Sequence, residues 1–101
     1  MSRVLTIRRV TVPSARSEEY QTLVAALATR LALRQQHLWL FRLRGEPGTW
    51  IEFVEGASDR HHRAVGPADA EDAALEAALV ALAPGSTAAP EIWEEMRLPH
   101  T

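Results

Sequence analysis

The sequence has no cysteine, no lysine and no asparagine, and all eleven of its basic residues are arginine. Each absence removes a class of chemistry. Without cysteine there is no disulfide, thiolate nucleophile or thiolate metal ligand. Without lysine there is no Schiff base and no P-loop lysine. No apolar run approaches the ~18–20 residues needed to span a membrane. The first eleven residues alternate charge with β-branched side chains and lack the apolar centre of a secretion signal. A cytoplasmic protein with no membrane partner is therefore expected. The net charge of -2 argues against nucleic acid as a partner, because its binders carry a strongly basic face. A length of 101 residues predicts one domain, 1–101. A chain this short buries only roughly 60–65 % of its unfolded surface, so docking to a second copy would help it.

What is present is mostly patterned. Residues 3–12 (RVLTIRRVTV) are β-branched and read as a strand ended by Pro13. Ser14 or Ser17 is placed to cap a helix, with Glu18 and Glu19 against its positive end. Tyr20, Leu23, Val24, Leu27, Ala28 and Leu31 then recur at helical spacing and make one apolar face, which frays near Arg34–Gln36. Residues 37–44 and 49–55 read as two strands around the turn Gly45-Glu46-Pro47-Gly48. Residues 59–68 (DRHHRAVGPA) read as a short helical turn or a loop. Asp69 caps a second helix with Leu75, Ala78, Leu79 and Leu82 on one face, stopped by Pro84-Gly85. Residues 83–90 form a connection, 91–98 a last strand, and 99–101 a tail.

The order β-α-β-β-(α)-α-β predicts an α+β, ferredoxin-like βαββαβ fold: a four-stranded antiparallel sheet with its helices on one face. Alternation then sorts the strand residues into two sets. Leu5, Ile7, Arg9, Trp39, Phe41, Leu43, Ile51, Phe53 and Trp93 form the more apolar set, which is expected beneath the helices. Trp39 and Trp93 are thus expected in the core. The other set includes Thr6, Arg8, Val10, Leu38, Leu40, Arg42, Trp50, Glu52, Val54, Ile92, Glu94 and Met96. It too is largely apolar, more than a water-facing sheet tolerates. A second copy covering it would give a dimeric α+β barrel. Arg8, Arg42, Glu52 and Glu94 would place polar groups in that greasy interior, as small-molecule pockets do. The same four residues also suit cross-strand ion pairs that stabilise an interface.

The hairpin LWLFRLRGEPGTWIEFVE, the helix EEYQTLVAALATRLA and the run TWIEFVEGAS-DRHHRAVGP together resemble the antibiotic-biosynthesis-monooxygenase-like, dimeric α+β barrel superfamily. The resemblance covers nearly the whole chain as a pattern. It implies a homodimer with one pocket per subunit, and a histidine after the third strand that points at the barrel mouth. That histidine falls on His61 or His62. The superfamily includes cofactor-independent oxygenases of polycyclic phenols, haem-degrading enzymes and small isomerases. The haem-degrading branch uses an Asn-Trp-His set, and this chain has no asparagine.

The candidate catalytic residues are His61 and His62, which titrate near neutral pH and suit a pocket base or hydrogen-bond donor; either also suits a solvated loop. Adjacent histidines point in different directions, so no metal site is expected, and no cofactor. The candidate substrate-binding residues are Trp50 as a stacking surface, Arg42 or Arg8 as an oxyanion holder, and Glu52 beside them. His37 and His100 read as structural or exposed, and Tyr20 as structural. Two functions follow. One is a small cofactor-independent enzyme, oxygenase-like or isomerase-like, acting on a hydrophobic or aromatic molecule in the barrel. The other is a non-enzymatic homodimer that senses a ligand or supports a partner. A monomeric ferredoxin-like module docking onto another protein is a third.

Overall fold

The apolar stripe of the first helix organises the molecule. In a computed structural model describing residues 3–86 and 89–99, Tyr20, Val24, Leu27 and Leu31 are the buried residues of α1 (Ser17–Ala32). They recur three and four residues apart, so one side of the helix lies on the sheet. Around α1 run β1 (Val4–Thr11), β2 (His37–Arg42), β3 (Thr49–Gly56), α2 (Ala70–Leu82) and β4 (Glu91–Glu94). The strands form one antiparallel sheet in the order β2-β3-β1-β4. This is the expected α+β, ferredoxin-like arrangement. The segment left open between helical turn and loop contains a single 3-10 turn, Arg63–Val65. His100 lies outside the described residues.

The helix ends differ in how they are closed. Asp69 caps α2 as expected, its carboxylate accepting from the Asp72 backbone N–H at 2.9 Å. Neither Ser14 nor Ser17 caps α1. Ser14–Arg16 forms a 3-10 turn, and Arg16 occupies the cap position without a side-chain cap bond. At the far end of α1, Gln35 takes a left-handed φ of 60° and the Gln36 N–H donates to the Leu31 carbonyl at 3.0 Å. This closing turn leaves Gln36 buried, immediately before β2.

The two faces of the sheet lie opposite to the expectation. Val4, Thr6, Arg8, Val10, Trp50, Glu52 and Val54 are buried, with Val10, Trp50 and Val54 in the same core cluster as α1 and α2. The more apolar set is the open one: Trp39 is 40 %, Phe41 56 % and Trp93 54 % exposed, so neither tryptophan is core. Counting apolar residues misassigned the faces because the helix side carries charges that neutralise one another. A buried, paired charge looks the same in sequence as a solvated one.

The last strand is shorter than expected. The Glu95 N–H donates to the Arg3 carbonyl at 2.8 Å, just past the register pair Val4–Glu94. Among the described residues the pairing of β4 with β1 ends at Val4–Glu94, and Met96 and Leu98 stand exposed.

Candidate functional site

The two histidines leave β3 in different directions. A tight turn joins Ser58 to His61: the Ser58 hydroxyl accepts the Arg60 N–H at 3.2 Å and lies 3.1 Å from His61 Nδ1, and the Ala57 N–H donates to the His61 carbonyl at 2.9 Å. His62 follows in extended backbone, with φ -143° and ψ 167°. Successive side chains of extended backbone point to opposite sides. His61 is accordingly exposed, while His62 turns inward and is 9 % exposed. Gly56 makes the inward packing possible: a Cβ there would come within 2.6 Å of the His62 Cβ.

Both histidines line a cleft of about 580 Å³ between the α1–β2 connection and the segment after β3. Its other polar walls are Arg34, Gln35, Gln36, Ser58 and Arg60, and no carboxylate lines it. A cavity of about 20 Å³ adjoins the same wall and is lined by Arg34, Gln36 and His62 together with Arg63, Asp72 and Glu76. Two buried polar atoms on this wall have no hydrogen-bond partner, Gln36 Oε1 and His62 Nδ1. Buried polar atoms are nearly always paired, so two orphans on one wall are unusual. Arg34 is held by Asp69 at 2.9 Å and Asp72 at 2.7 Å. No ion pair engages Arg60 among the described residues.

Beneath His62, a charge network fixes the floor. Glu52 Oε1 accepts from Arg63 at 2.6 Å and from Arg8 at 3.4 Å, and Glu52 Oε2 accepts the Tyr20 hydroxyl at 2.5 Å. Arg63 also grips Glu76 through two nitrogens, at 2.7 and 2.9 Å. Burial opposes the Arg63 charge, but Glu76 and Glu52 outweigh it and hold the guanidinium ionised. Burial pushes the Tyr20 phenol far above its ordinary range, and the Glu52 charge adds to this, so Tyr20 remains a donor.

The sequence-derived candidates thus separate into three places. His61 and His62 share the cleft. Arg8 and Glu52 lie in the core and reach the cleft only through Arg63, the neighbour of His62. Trp50 and Arg42 meet at the opposite end of the sheet, roughly 20 Å along β3 at ~3.3 Å per residue. There the Arg42 guanidinium sits 5.6 Å from the Trp50 ring centroid. Trp50 is 5 % exposed and packs on Tyr20 with ring centroids 5.3 Å apart. The basic residues at the histidines are instead Arg34 and Arg60, neither of which was singled out from sequence. Arg60 adjoins His61 and could have been; Arg34 and Gln36 reach the site only through the turn that closes α1. Among the described residues no group of three or more His, Asp or Glu could hold a metal ion.

A second concavity, about 490 Å³, lies on the open face of the sheet among Leu5, Trp39, Phe41, Phe53 and Trp93. The ion pairs of Arg3 with Glu55 at 2.8 Å and Glu95 at 3.3 Å mark one end. No described helix is long and apolar enough to cross a membrane.

No family model matches the sequence, and no curated protein matches it. Among solved structures, the chain is similar to a protein from Bordetella bronchiseptica described as a putative antibiotic biosynthesis monooxygenase. The TM-score is 0.61 at 17 % identity, over 97 % of this chain and 99 % of that one. At this identity the likeness speaks to the fold: the chain has the antibiotic-biosynthesis-monooxygenase-like α+β fold that its sequence resembles.

Proposed function

We propose that the chain, as one domain, forms a cytoplasmic homodimer through the open face of its sheet. Each subunit then acts without a cofactor on a small hydrophobic or aromatic molecule, in a monooxygenase-like or isomerase-like reaction. Support for the dimer comes from the aromatic open face, since a solvated antiparallel face is normally polar. Support for chemistry comes from one observation above all: His62, buried at the cleft wall, has a ring nitrogen with no partner. A buried ring nitrogen with no protein partner calls for a bound hydroxyl or water.

The first step common to both reaction classes is removal of a proton from an acidic O–H or C–H of the substrate. That bond breaks, an N–H bond forms on the His62 imidazole, and the electron pair stays on the substrate as an anion facing Arg60 and Arg34. Isomerisation returns the proton to another substrate atom. Oxygenation passes electrons from the anion to dioxygen, the second substrate. Arg8, Glu52 and Tyr20 serve as positioning residues, because they anchor Arg63 and with it the backbone that carries His62.

Oxygen uptake and product formation with a panel of polycyclic phenols test the reading. Turnover should fall about 10²–10⁴-fold in His62→Ala, the usual range for a positioned acid–base group. Parental turnover in that variant would end the proposal. The non-enzymatic alternative draws on the 490 Å³ aromatic concavity instead. It predicts no turnover, and binding of an apolar fluorescent probe that Trp39→Ala abolishes and His62→Ala leaves unchanged.

A further inference from the structure

We infer that the molecule taken by the histidine cleft is a small organic acid carrying a hydroxyl group, an inference that rests on the cleft being the substrate site. Charge is the first argument. The chain carries thirteen acidic side chains and a net charge of -2, yet none of those carboxylates lines the cleft. Two guanidiniums and two imidazoles do. Arg34 is committed to Asp69 and Asp72, so the uncommitted positive charge at the mouth is Arg60. A planar guanidinium matches a carboxylate in two parallel hydrogen bonds.

The inner wall supplies the second argument, and it asks for a different group. Gln36 Oε1 is an acceptor without a donor, and His62 Nδ1 is a ring nitrogen without a partner. Both residues line the cavity of about 20 Å³, beside Asp72 and Glu76. A space needs about 10–15 Å³ on this measure to hold one water, so this one holds a single oxygen and excludes a carboxylate. A hydroxyl fits: it donates to Gln36 Oε1 and accepts from the His62 Nδ1–H, which leaves Nε2 as the ring nitrogen that takes up a substrate proton. The ligand is thus bipolar, with its anionic end at Arg60 and its hydroxyl oxygen at Gln36 and His62. The small apolar residues of the cleft, Ala57, Val65 and Pro67, face what lies between.

Calorimetry with 4-hydroxybenzoate, benzoate and phenol tests this on the intact protein and on Arg60→Ala, Gln36→Leu and Gln36→Glu. 4-Hydroxybenzoate should bind at least 10-fold more tightly than either benzoate or phenol. Arg60→Ala should weaken both acids at least 10-fold and leave phenol unchanged. Gln36→Leu should reduce the hydroxy acid to the affinity of benzoate. Should Gln36→Leu not fold, Gln36→Glu places a carboxylate at the wall and should weaken both acids. Equal affinity for the three probes, acid binding indifferent to Arg60→Ala, or no binding at millimolar concentration would each overturn the inference. The two readings fail separately. Phenols that turn over through His62 with no gain from a carboxylate leave the enzyme reading standing without this one. A hydroxy acid that binds as stated without turnover of any kind leaves this one standing without the other.

Discussion

Replacing Glu52 by glutamine probes the structure where its energetics are most concentrated. The Glu52 side chain is fully buried and accepts hydrogen bonds from Arg8, Arg63 and Tyr20. Glu52→Gln keeps the shape and removes the charge. Arg63 retains Glu76 and Arg8 keeps its other contact, but the carboxylate that the two share is gone. Breaking a buried pair from one side costs about 3–5 kcal/mol, because charge is left in a medium that solvates it poorly. Domains of this size are stable by only ~5–15 kcal/mol. The variant should therefore lose a large part of its stability, with Tm falling about 4–8 °C per kcal/mol. Tyr20→Phe removes one hydrogen bond to a charged acceptor and should cost less, about 1.5–3 kcal/mol. The double variant Arg8→Met, Glu52→Met removes charge from both sides and should be more stable than Glu52→Gln alone, a non-additivity expected of direct neighbours. Urea unfolding followed by tryptophan fluorescence measures all three, at one protein concentration because dimer stability depends on it. A Glu52→Gln loss under about 1 kcal/mol, or a double variant no more stable than Glu52→Gln, would refute the buried network.

Three smaller perturbations test other elements. Gly56→Ala drives a methyl to within 2.6 Å of the His62 side chain and should cost about 1–3 kcal/mol while moving the His62 ring resonances in an NMR spectrum. Asp69→Ala removes the α2 cap and should cost about 1 kcal/mol in thermal unfolding at neutral pH. The Asp72 N–H, with Arg30 and Arg34 adding, holds the Asp69 carboxyl below its ordinary value of 3.8. Its stabilisation is thus complete above that value and is lost as pH falls further through the folded-state value, so the acid branch of a stability–pH curve should be shallower in Asp69→Ala. Gln35→Gly relieves a left-handed φ of 60° and should raise stability by about 0.5–1 kcal/mol in urea unfolding.

Much of the fold was legible in the sequence because it follows from periodicity and punctuation. The Tyr20, Val24, Leu27, Leu31 stripe, the Asp69 cap and the Gly45–Gly48 turn each have a local cause. The assignment of sheet faces depended on pairing, which is not local. Arg8, Glu52 and Arg63 come from β1, β3 and the 3-10 turn, and only their meeting lets charge occupy the helix side. Once that side was taken for an open one, Trp50 and Arg42 were grouped with the histidines, although β3 separates them. The histidine pair itself was readable, and which of the two turns inward followed from the Ser58–His61 turn. Gln36 and Arg34 were hidden because their place depends on how α1 ends. The extent of β4 was overstated because apolar alternation in the sequence continues past Glu94, where the described pairing with β1 ends.

The claim on which the account depends is that the cleft beside His62, and not the aromatic face of the sheet, receives the small molecule. An NMR shift map with 4-hydroxybenzoate tests it most directly, since backbone amides report the cleft and the Trp39 and Trp93 indoles report the open face. Saturable shifts are expected at residues 34–36 and 57–68, absent in Arg60→Ala, with both indoles unmoved. Shifts confined to Trp39, Phe41, Phe53 and Trp93 would contradict it.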